Sequence, residues 1–142
     1  MPFSIRLCRA DEAEQLLSLW RAADAAPSVT DSLADIRRVM AEGSSFLLVA
    51  EVAGVVVGSI IGSFDGWRGH LYRLAVHPQQ RRHGIARALV DAATDRLVQR
   101  GAVRIMAIVE RDRNGAMRFW NAVGFAEDRG TVRFLRNVPR GG

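Results

Sequence analysis

The stretch from residue 44 to residue 66, SSFLLVAEVAGVVVGSIIGSFDG, limits the possible folds of this chain more than any other segment. It contains two runs of β-branched and apolar side chains, which favour strands, separated by Ala53 and Gly54. Two such runs joined by a short turn are typical of an antiparallel hairpin. Glu51 and several glycines interrupt the apolar run, which argues against a membrane-spanning helix. The chain is therefore expected to form a sheet and to have no transmembrane span.

The rest of the chain alternates between strand and helix patterns. Residues 10–24 carry Asp11 as a candidate N-cap with Glu14 three residues later, which predicts the start of a helix. The pattern over residues 81–101 is also helical and ends at Gly101. The order β-α-α-β-β-β-α-β-α-β indicates an α+β fold in which helices cover both faces of a sheet. The remaining elements are predicted strands over residues 3–10, 69–78, 102–110 and 131–138, and predicted helices over residues 30–43 and 114–124.

Length and composition describe an ordinary globular domain. The chain has 142 residues, of which 49% are hydrophobic and 25% charged, enough for one domain with a real core. The N-terminal stretch becomes acidic at Asp11 before any long apolar core, so we expect no signal peptide and a cytoplasmic location. The single cysteine, Cys8, cannot form an internal disulfide, and its strand-like context favours a small packed side chain over a nucleophile.

All 20 basic residues are arginines, and the net charge is +5. Arginine binds phosphate and carboxylate groups with a planar fork of donors, so the bias is compatible with anion recognition. It is also compatible with a nucleic-acid surface. The arginines are spread along the whole chain and form no continuous basic run, so a nucleic-acid partner is disfavoured.

One local cluster of arginines precedes the helix predicted over residues 81–101. Arg81, Arg82 and His83 lead into Gly84, which allows a ligand to approach the backbone closely. The first amides of a helix lack partners and carry partial positive charge, which makes them an anion site. We therefore expect a phosphate-bearing ligand at this loop.

This loop resembles motif A of the GNAT superfamily of N-acetyltransferases, with Arg81, Gly84 and Ala86 at the family's positions. The preceding LAVHP and the later AMRFWNAVGF are similar to two further family patterns in the same order. The resemblance covers nearly the whole chain and implies a single GNAT domain over residues 1–142. It implies a mixed, mostly antiparallel, twisted sheet of six or seven strands flanked by about four helices.

The resemblance also implies acetyl-CoA as the co-substrate. Strands 69–78 and 102–110 would splay apart, and the thioester would lie in the opening. The backbone of the first strand would pair with the pantetheine arm, while the helix amides would hold the pyrophosphate. The residues concerned are Leu74, Ala75 and Val76 for the arm, and Arg82, His83, Gly84, Ile85 and Ala86 for the pyrophosphate, with Arg81 as a further cationic donor.

Acetyl transfer to an amine requires a general base. An alkylamine has a pKa of about 10.4, and its deprotonation at pH 7 costs about 4.6 kcal/mol. His70 is the candidate base because imidazole accepts protons near neutral pH, and because many family members place a glutamate at this register. Strict strand alternation puts His70, Tyr72, Leu74 and Val76 on one face. Glu110 and Asp112 are rival bases.

The chain departs from the family pattern in two places. Trp120 stands where many members carry a tyrosine as general acid, and an indole does not usefully release a proton. Tyr72 is the candidate substitute, with water as the alternative. The asparagine that often contacts CoA falls on Arg113, with Asn114 one residue later, so either residue is a candidate contact, as is Trp120.

The acceptor amine is not identified by the sequence. In the family, segments corresponding to residues 25–32 and 125–133 frame it, and Trp67 lies near by in sequence. Arginines 68, 73, 129 and 133 favour an acidic acceptor. The histidines at positions 70, 77 and 83 show no metal-ligand spacing, so no metal is expected. A CoA-binding module without catalysis is the main alternative function, and a homodimer is compatible with the family.

Overall fold

The structure is a computed structural model that describes residues 2–111 and 115–140. The chain divides into two compact units, residues 1–108 and residues 109–142, and each is described by itself. Within the described residues no helix has the length and apolar character needed to cross a membrane.

The first unit is built on one mixed sheet whose strands follow one another in space as they do along the chain. The first four strands pair antiparallel, and the fourth and fifth pair parallel, as the order of the predicted elements required. The strands are β1 (Ser4–Leu7), β2 (Ser45–Val52), β3 (Val55–Phe64), β4 (Gly69–Val76) and β5 (Ile105–Ala107).

The predicted count of six or seven strands is wrong for the described residues, in which five strands form. Residues 131–138 were expected to be a strand and pair with none. Their apolar side chains are exposed, including Phe134 at 91%, so no packed layer supports a strand there. The strand predicted over residues 102–110 is shorter in the structure: it consists of the three residues of β5, which pair with β4.

Three helices of the first unit cover both faces of the sheet: α1 (Ala13–Ala22), α2 (Leu33–Ala41) and α3 (Ile85–Gln99). On one face, α1 and α2 pack on β2 and β3 in a cluster that includes Leu16, Trp20, Ile36, Leu47 and Val49. On the other face, α3 lies directly over β3. A Cβ atom added to Gly58 would lie 3.0 Å from Leu89 and 3.1 Å from Ile85, so this glycine permits the close approach of the helix.

The start of α1 differs from the prediction that placed Asp11 at the N-cap. A 3-10 turn, Ala10–Glu12, precedes the helix, and the carboxylate of Glu12 accepts the backbone N–H of Arg9 at 2.8 Å. The same carboxylate takes a two-pronged ion pair from Arg6, with N–O distances of 2.8 and 2.7 Å. These donors lower the pKa of Glu12 to about 2. Sequence spacing did not identify Glu12 because its main partner comes from β1.

Strand β4 contains a bulge that breaks the predicted alternation. Tyr72 pairs with Ile61 and Ala75 pairs with Ser59, so three steps along β4 match two along β3. Arg73 lies in the bulge with a φ of 53°, in the left-handed region. The prediction that Val76 shares a face with His70 and Tyr72 is therefore wrong: Val76 pairs with Gly58, three residues from Ile61 and hence on the opposite face.

The second unit is organised around helix α4 (Ala116–Ala122). Gly124, with a φ of 99°, follows the helix, and the N–H of Phe125 donates to the carbonyl of Trp120 at 3.0 Å, which closes the helix end. The Trp120 ring makes edge-to-face contacts with Phe119 and Phe125, at centroid distances of 5.7 and 4.9 Å. Trp120 is only 8% exposed, in keeping with a packing role.

Candidate functional site

The parallel pairing of β4 with β5 ends early. It covers Gly69, His70 and Leu71, which face Ile105, Met106 and Ala107. Among the described residues, β4 has no strand partner on its β5 side after Leu71. The second half of β4, which holds the predicted arm-binding residues Leu74, Ala75 and Val76, therefore presents one backbone edge that no strand of the described chain occupies.

The segment of residues 77–84, which we call the arginine-glycine loop, connects the end of β4 to the start of α3. His77 accepts the N–H of Gln79 through Nδ1 at 3.2 Å, which stabilises a 3-10 turn at Pro78–Gln80. Arg82 and Gly84 both have positive φ, at 67° and 82°. Both residues lie in the turn that leads into α3.

The first turn of α3 has no side-chain cap. Gly84 is the N-cap and has no side chain to satisfy the first amides. The helical bonding begins where the N–H of Ala88 donates to the carbonyl of Gly84 at 3.1 Å. No atom lies within 4 Å of a Cβ built on Gly84, so the space before the helix is open. Ile85 is 2% exposed and fixes the helix on the sheet, while Arg82 and His83 are exposed.

Arg81 has a structural partner that the sequence did not predict. Its Nη2 donates to the carbonyl of Ala23, just beyond the C-terminus of α1, at 3.3 Å. A cation at a helix C-terminus interacts favourably with the helix dipole. Arg81 therefore holds the loop against α1 in addition to contributing positive charge.

His70 and Tyr72 lie together on the α1 and α2 face of β4. Their rings are parallel to within 12°, with centroids 6.1 Å apart. Nε2 of His70 lies 3.4 Å from Oδ2 of Asp65, in the turn before β4. Asp65 also accepts the N–H groups of Trp67 and Arg68, at 2.8 and 2.7 Å. These donors lower the pKa of Asp65, with the Arg68 N–H the largest contributor, so Asp65 is a carboxylate at neutral pH.

Partial burial of Tyr72, assisted by the Asp65 charge, raises the pKa of the phenol above its ordinary value. A tyrosine with a raised pKa keeps its proton at neutral pH. Tyr72 is also 40% exposed, so its ring is accessible. The site thus combines an imidazole oriented by a carboxylate with a protonated phenol.

Three contacts hold the bulge beside this pair. Trp20 donates its indole N–H to Oγ of Ser59 at 2.9 Å, and Ser59 donates its hydroxyl to the carbonyl of Arg73 at 2.9 Å. Nη2 of Arg73 lies 2.6 and 2.8 Å from the two carboxylate oxygens of Asp31. Sequence reasoning missed Asp31 and Ser59, because the partners are 14 to 42 residues apart and no local pattern links them.

The remaining predicted site residues belong to the second unit or lie outside the described residues. Glu110 is exposed and Trp120 is buried in the aromatic cluster of its own unit. Asn114, together with Asp112 and Arg113, falls outside the described residues. Among the residues that the structure describes, no group of three or more metal-ligating side chains comes together.

Comparison with known proteins places this arrangement in a family. The profile of the acetyltransferase (GNAT) family matches residues 11–125. An acetyltransferase of Photorhabdus laumondii, plu1384, is 40% identical over 113 residues, which cover 80% of this chain and 79% of the relative. Another, SG1711 of Sodalis glossinidius, is 38% identical over 121 residues and covers 85% of each chain.

Solved structures agree on the fold. The PaiA N-acetyltransferase of Thermoplasma acidophilum, solved in complex with coenzyme A, superposes with a TM-score of 0.82 at 17% identity, over 90% of this chain and 92% of the other. The aminoglycoside N-acetyltransferase AAC(6')-Iy, solved with CoA, gives a TM-score of 0.78 at 20% identity, over 96% and 95% of the two chains. Sequence and fold together show that the chain belongs to the GNAT family of acetyltransferases.

Proposed function

We propose that this chain binds acetyl-CoA at the start of α3 and transfers the acetyl group to a primary amine by direct attack within a ternary complex. The observation that carries the proposal is the open N-terminus of α3, capped only by Gly84, beside the backbone edge of β4 that no strand of the described residues pairs with. The family match spans both compact units, which supports residues 1–142 working as one catalytic domain.

The residues present fit the co-substrate. The amides of Arg82, His83, Gly84, Ile85 and Ala86 bind the pyrophosphate, because main-chain donors at a helix start match phosphate oxygens. Two solved structures of this fold were obtained with coenzyme A, which supports the same ligand class here. The edge of β4 at Leu74, Ala75 and Val76 receives the amide groups of the pantetheine arm.

Acetyl-CoA, when bound, supplies an acyl carbonyl joined to a thiol leaving group whose pKa is about 8.5. The protein's task is to deprotonate the incoming amine. His70 serves as the general base, directly or through one water. Asp65 near Nε2 favours the tautomer with its proton on that nitrogen, which leaves Nδ1 to accept a proton from the amine. Glu110 is the alternative base.

Tyr72 serves as the general acid in place of the family's usual tyrosine. Its raised pKa keeps the phenol protonated at neutral pH, as an acid requires. Trp120 is buried against Phe119 and Phe125 and has only an indole N–H to donate, so it does not substitute. Trp120 and Asn114 remain proposed CoA contacts on the strength of the family pattern alone.

The test is titration calorimetry with CoA followed by an amine screen that measures release of CoA thiol from acetyl-CoA. The screen uses four acceptors: n-butylamine, putrescine, the aminoglycoside sisomicin and a peptide beginning with alanine. Binding of CoA together with amine-dependent thiol release supports the proposal. Failure to bind CoA would refute the assignment of the CoA site to the start of α3.

A CoA-binding module without catalysis is the second candidate, and the tryptophan at position 120 is the observation that favours it. Such a protein would be stabilised by CoA against thermal unfolding but would release no thiol with any amine. The same screen therefore separates the two functions.

A further inference from the structure

The loop between α1 and α2, residues 23–32, is held near each end by an arginine from another segment of the chain. Arg81 of the arginine-glycine loop donates to the carbonyl of Ala23 at 3.3 Å. Arg73 of the β4 bulge binds both carboxylate oxygens of Asp31 at 2.6 and 2.8 Å. The α1–α2 loop thus extends from the proposed CoA site to the strand that carries His70 and Tyr72.

Arg73 is an unusual choice for its position. Its φ of 53° lies in the region that favours glycine, so the backbone is strained at this residue. The strain is held by the Ser59 hydroxyl on its carbonyl, and the guanidinium lies 5.0 Å from the centre of the Trp20 ring. A glycine would satisfy the backbone more easily, so the side chain itself accounts for the presence of arginine.

The ion pair is largely shielded from water. The side chains of Arg73 and Asp31 are 18% and 21% exposed, so their attraction is screened less than that of a surface pair. Asp31 further accepts the N–H of Ser28 through Oδ2 at 3.1 Å, and its own N–H donates to the carbonyl of Ser28 at 3.1 Å. Asp31 therefore organises the end of the loop as well as fixing it to the strand.

Arg73 immediately follows Tyr72, just past the point where β4 loses its pairing with β5. We infer that the Asp31–Arg73 ion pair is a positioning device for the acceptor amine: it holds the α1–α2 loop as a wall of the acceptor pocket beside His70 and Tyr72. This inference rests on the proposed function. It also means that Arg73 is neutralised by Asp31 and does not bind an acidic acceptor, contrary to the expectation from its sequence position.

The test measures the loop and the acceptor separately. Amide hydrogen exchange of residues 24–32 is compared in the wild type, Asp31→Asn and Arg73→Gly. Loss of the ion pair should speed exchange of the Ser28 and Asp31 amides at least tenfold. Arg73→Gly suits the backbone conformation and removes only the side chain, so it keeps the bulge while breaking the pair. Asp11→Asn is the matched control, because it removes one carboxylate from an exposed pair with Arg9.

Kinetics with whichever of the four screened amines the wild type acetylates fastest supply the second readout. Both variants should raise the acceptor KM about tenfold and leave the Kd for CoA within twofold. The double variant should be no worse than either single variant, because both remove one interaction. Arg73→Lys, which retains the charge, should recover part of the acceptor affinity.

Unchanged exchange in both variants, or equal losses of CoA and acceptor affinity, would overturn the inference. Additive effects in the double variant would also overturn it. A wild type that turns over none of the four amines would instead refute the proposed function, while the exchange experiment would still test whether the ion pair holds the loop.

Discussion

The imidazole of His70 lies parallel to the phenol of Tyr72, with their ring centres 6.1 Å apart. They are two residues apart on β4, before the bulge, and so they share a face of the sheet. Asp65 lies 3.4 Å from the imidazole, and its charge adds to the effect of burial in raising the pKa of the phenol. One carboxylate thus lies close to the imidazole and helps to keep the phenol protonated, and these are the two groups that we assign to proton transfer.

Replacing His70 with alanine should lower kcat/KM by about 10²- to 10⁴-fold, the usual contribution of a general base. The acidic limb of the pH profile should disappear with it. Imidazole added to the buffer should restore part of the activity, since the removed side chain leaves room for it. An unaltered pH profile in His70→Ala would transfer the role of base to another group, with Glu110 next in line.

Tyr72→Phe removes only the hydroxyl. Because the pKa of Tyr72 is raised above the ordinary tyrosine pKa of 10.0, the wild-type phenol stays protonated at least up to that pH. We expect kcat to fall about 10- to 100-fold if the phenol acts as general acid, while the Kd for CoA stays the same. Steady-state kinetics and calorimetry measure the two quantities. Retention of full kcat would assign the proton to water.

Gly84→Val should weaken CoA binding at least tenfold. The side chain would project into the open space before α3, and the φ of 82° is strained for any residue with a Cβ. Gly43→Val is the control, because Gly43 also has open space around its Cβ position but no positive φ. Equal affinities for CoA in the two variants, measured by calorimetry, would contradict the assignment of the loop.

The Glu12 carboxylate should make folding stability depend on pH in acid. Its pKa is lowered from 4.5 to about 2, chiefly by the hydrogen bonds from Arg6. A lowered pKa stabilises the fold above the unfolded value, and this stabilisation is lost as the pH falls from about 4.5 through about 2. At about 1.4 kcal/mol per pKa unit, the contribution is on the order of 3 kcal/mol.

Glu12→Gln should therefore reduce the free energy of unfolding at pH 7 by about 2–3 kcal/mol and flatten its dependence on pH below 4.5. Glu14→Gln, at an exposed position on α1, is the matched control. Urea denaturation at several pH values measures both effects. Parallel stability curves for Glu12→Gln and the wild type would show that the ion pair with Arg6 contributes nothing.

The sequence predicted those features that local chemistry determines. The hairpin of β2 and β3 follows from β-branched runs around a small-residue turn, and the open start of α3 follows from a glycine placed directly before an apolar helix. Strands β4 and β5, which α3 connects, pair in parallel, as the predicted order of strand, helix and strand required. These features depend on residues that are neighbours in the chain.

The features that the sequence did not predict depend on distant partners. The bulge at Arg73 needs a positive φ at a residue whose propensity opposes it, and it is held by Trp20, Ser59 and Asp31 from three other segments. The alternating pattern of residues 131–138 predicted a strand, but a strand also requires a neighbour to complete its hydrogen bonds. The local sequence pattern identifies neither the distant partners that hold the bulge nor the neighbour that a strand needs.

Binding of the CoA pyrophosphate at the start of α3 is tested by a titration of CoA followed by backbone amide NMR, with pantetheine, which lacks the pyrophosphate, as the comparison ligand. We expect large shifts of the amides of residues 82–86 with CoA and much smaller ones with pantetheine. Shifts confined to other parts of the chain, or equal shifts at residues 82–86 with both ligands, would show that the pyrophosphate does not bind there.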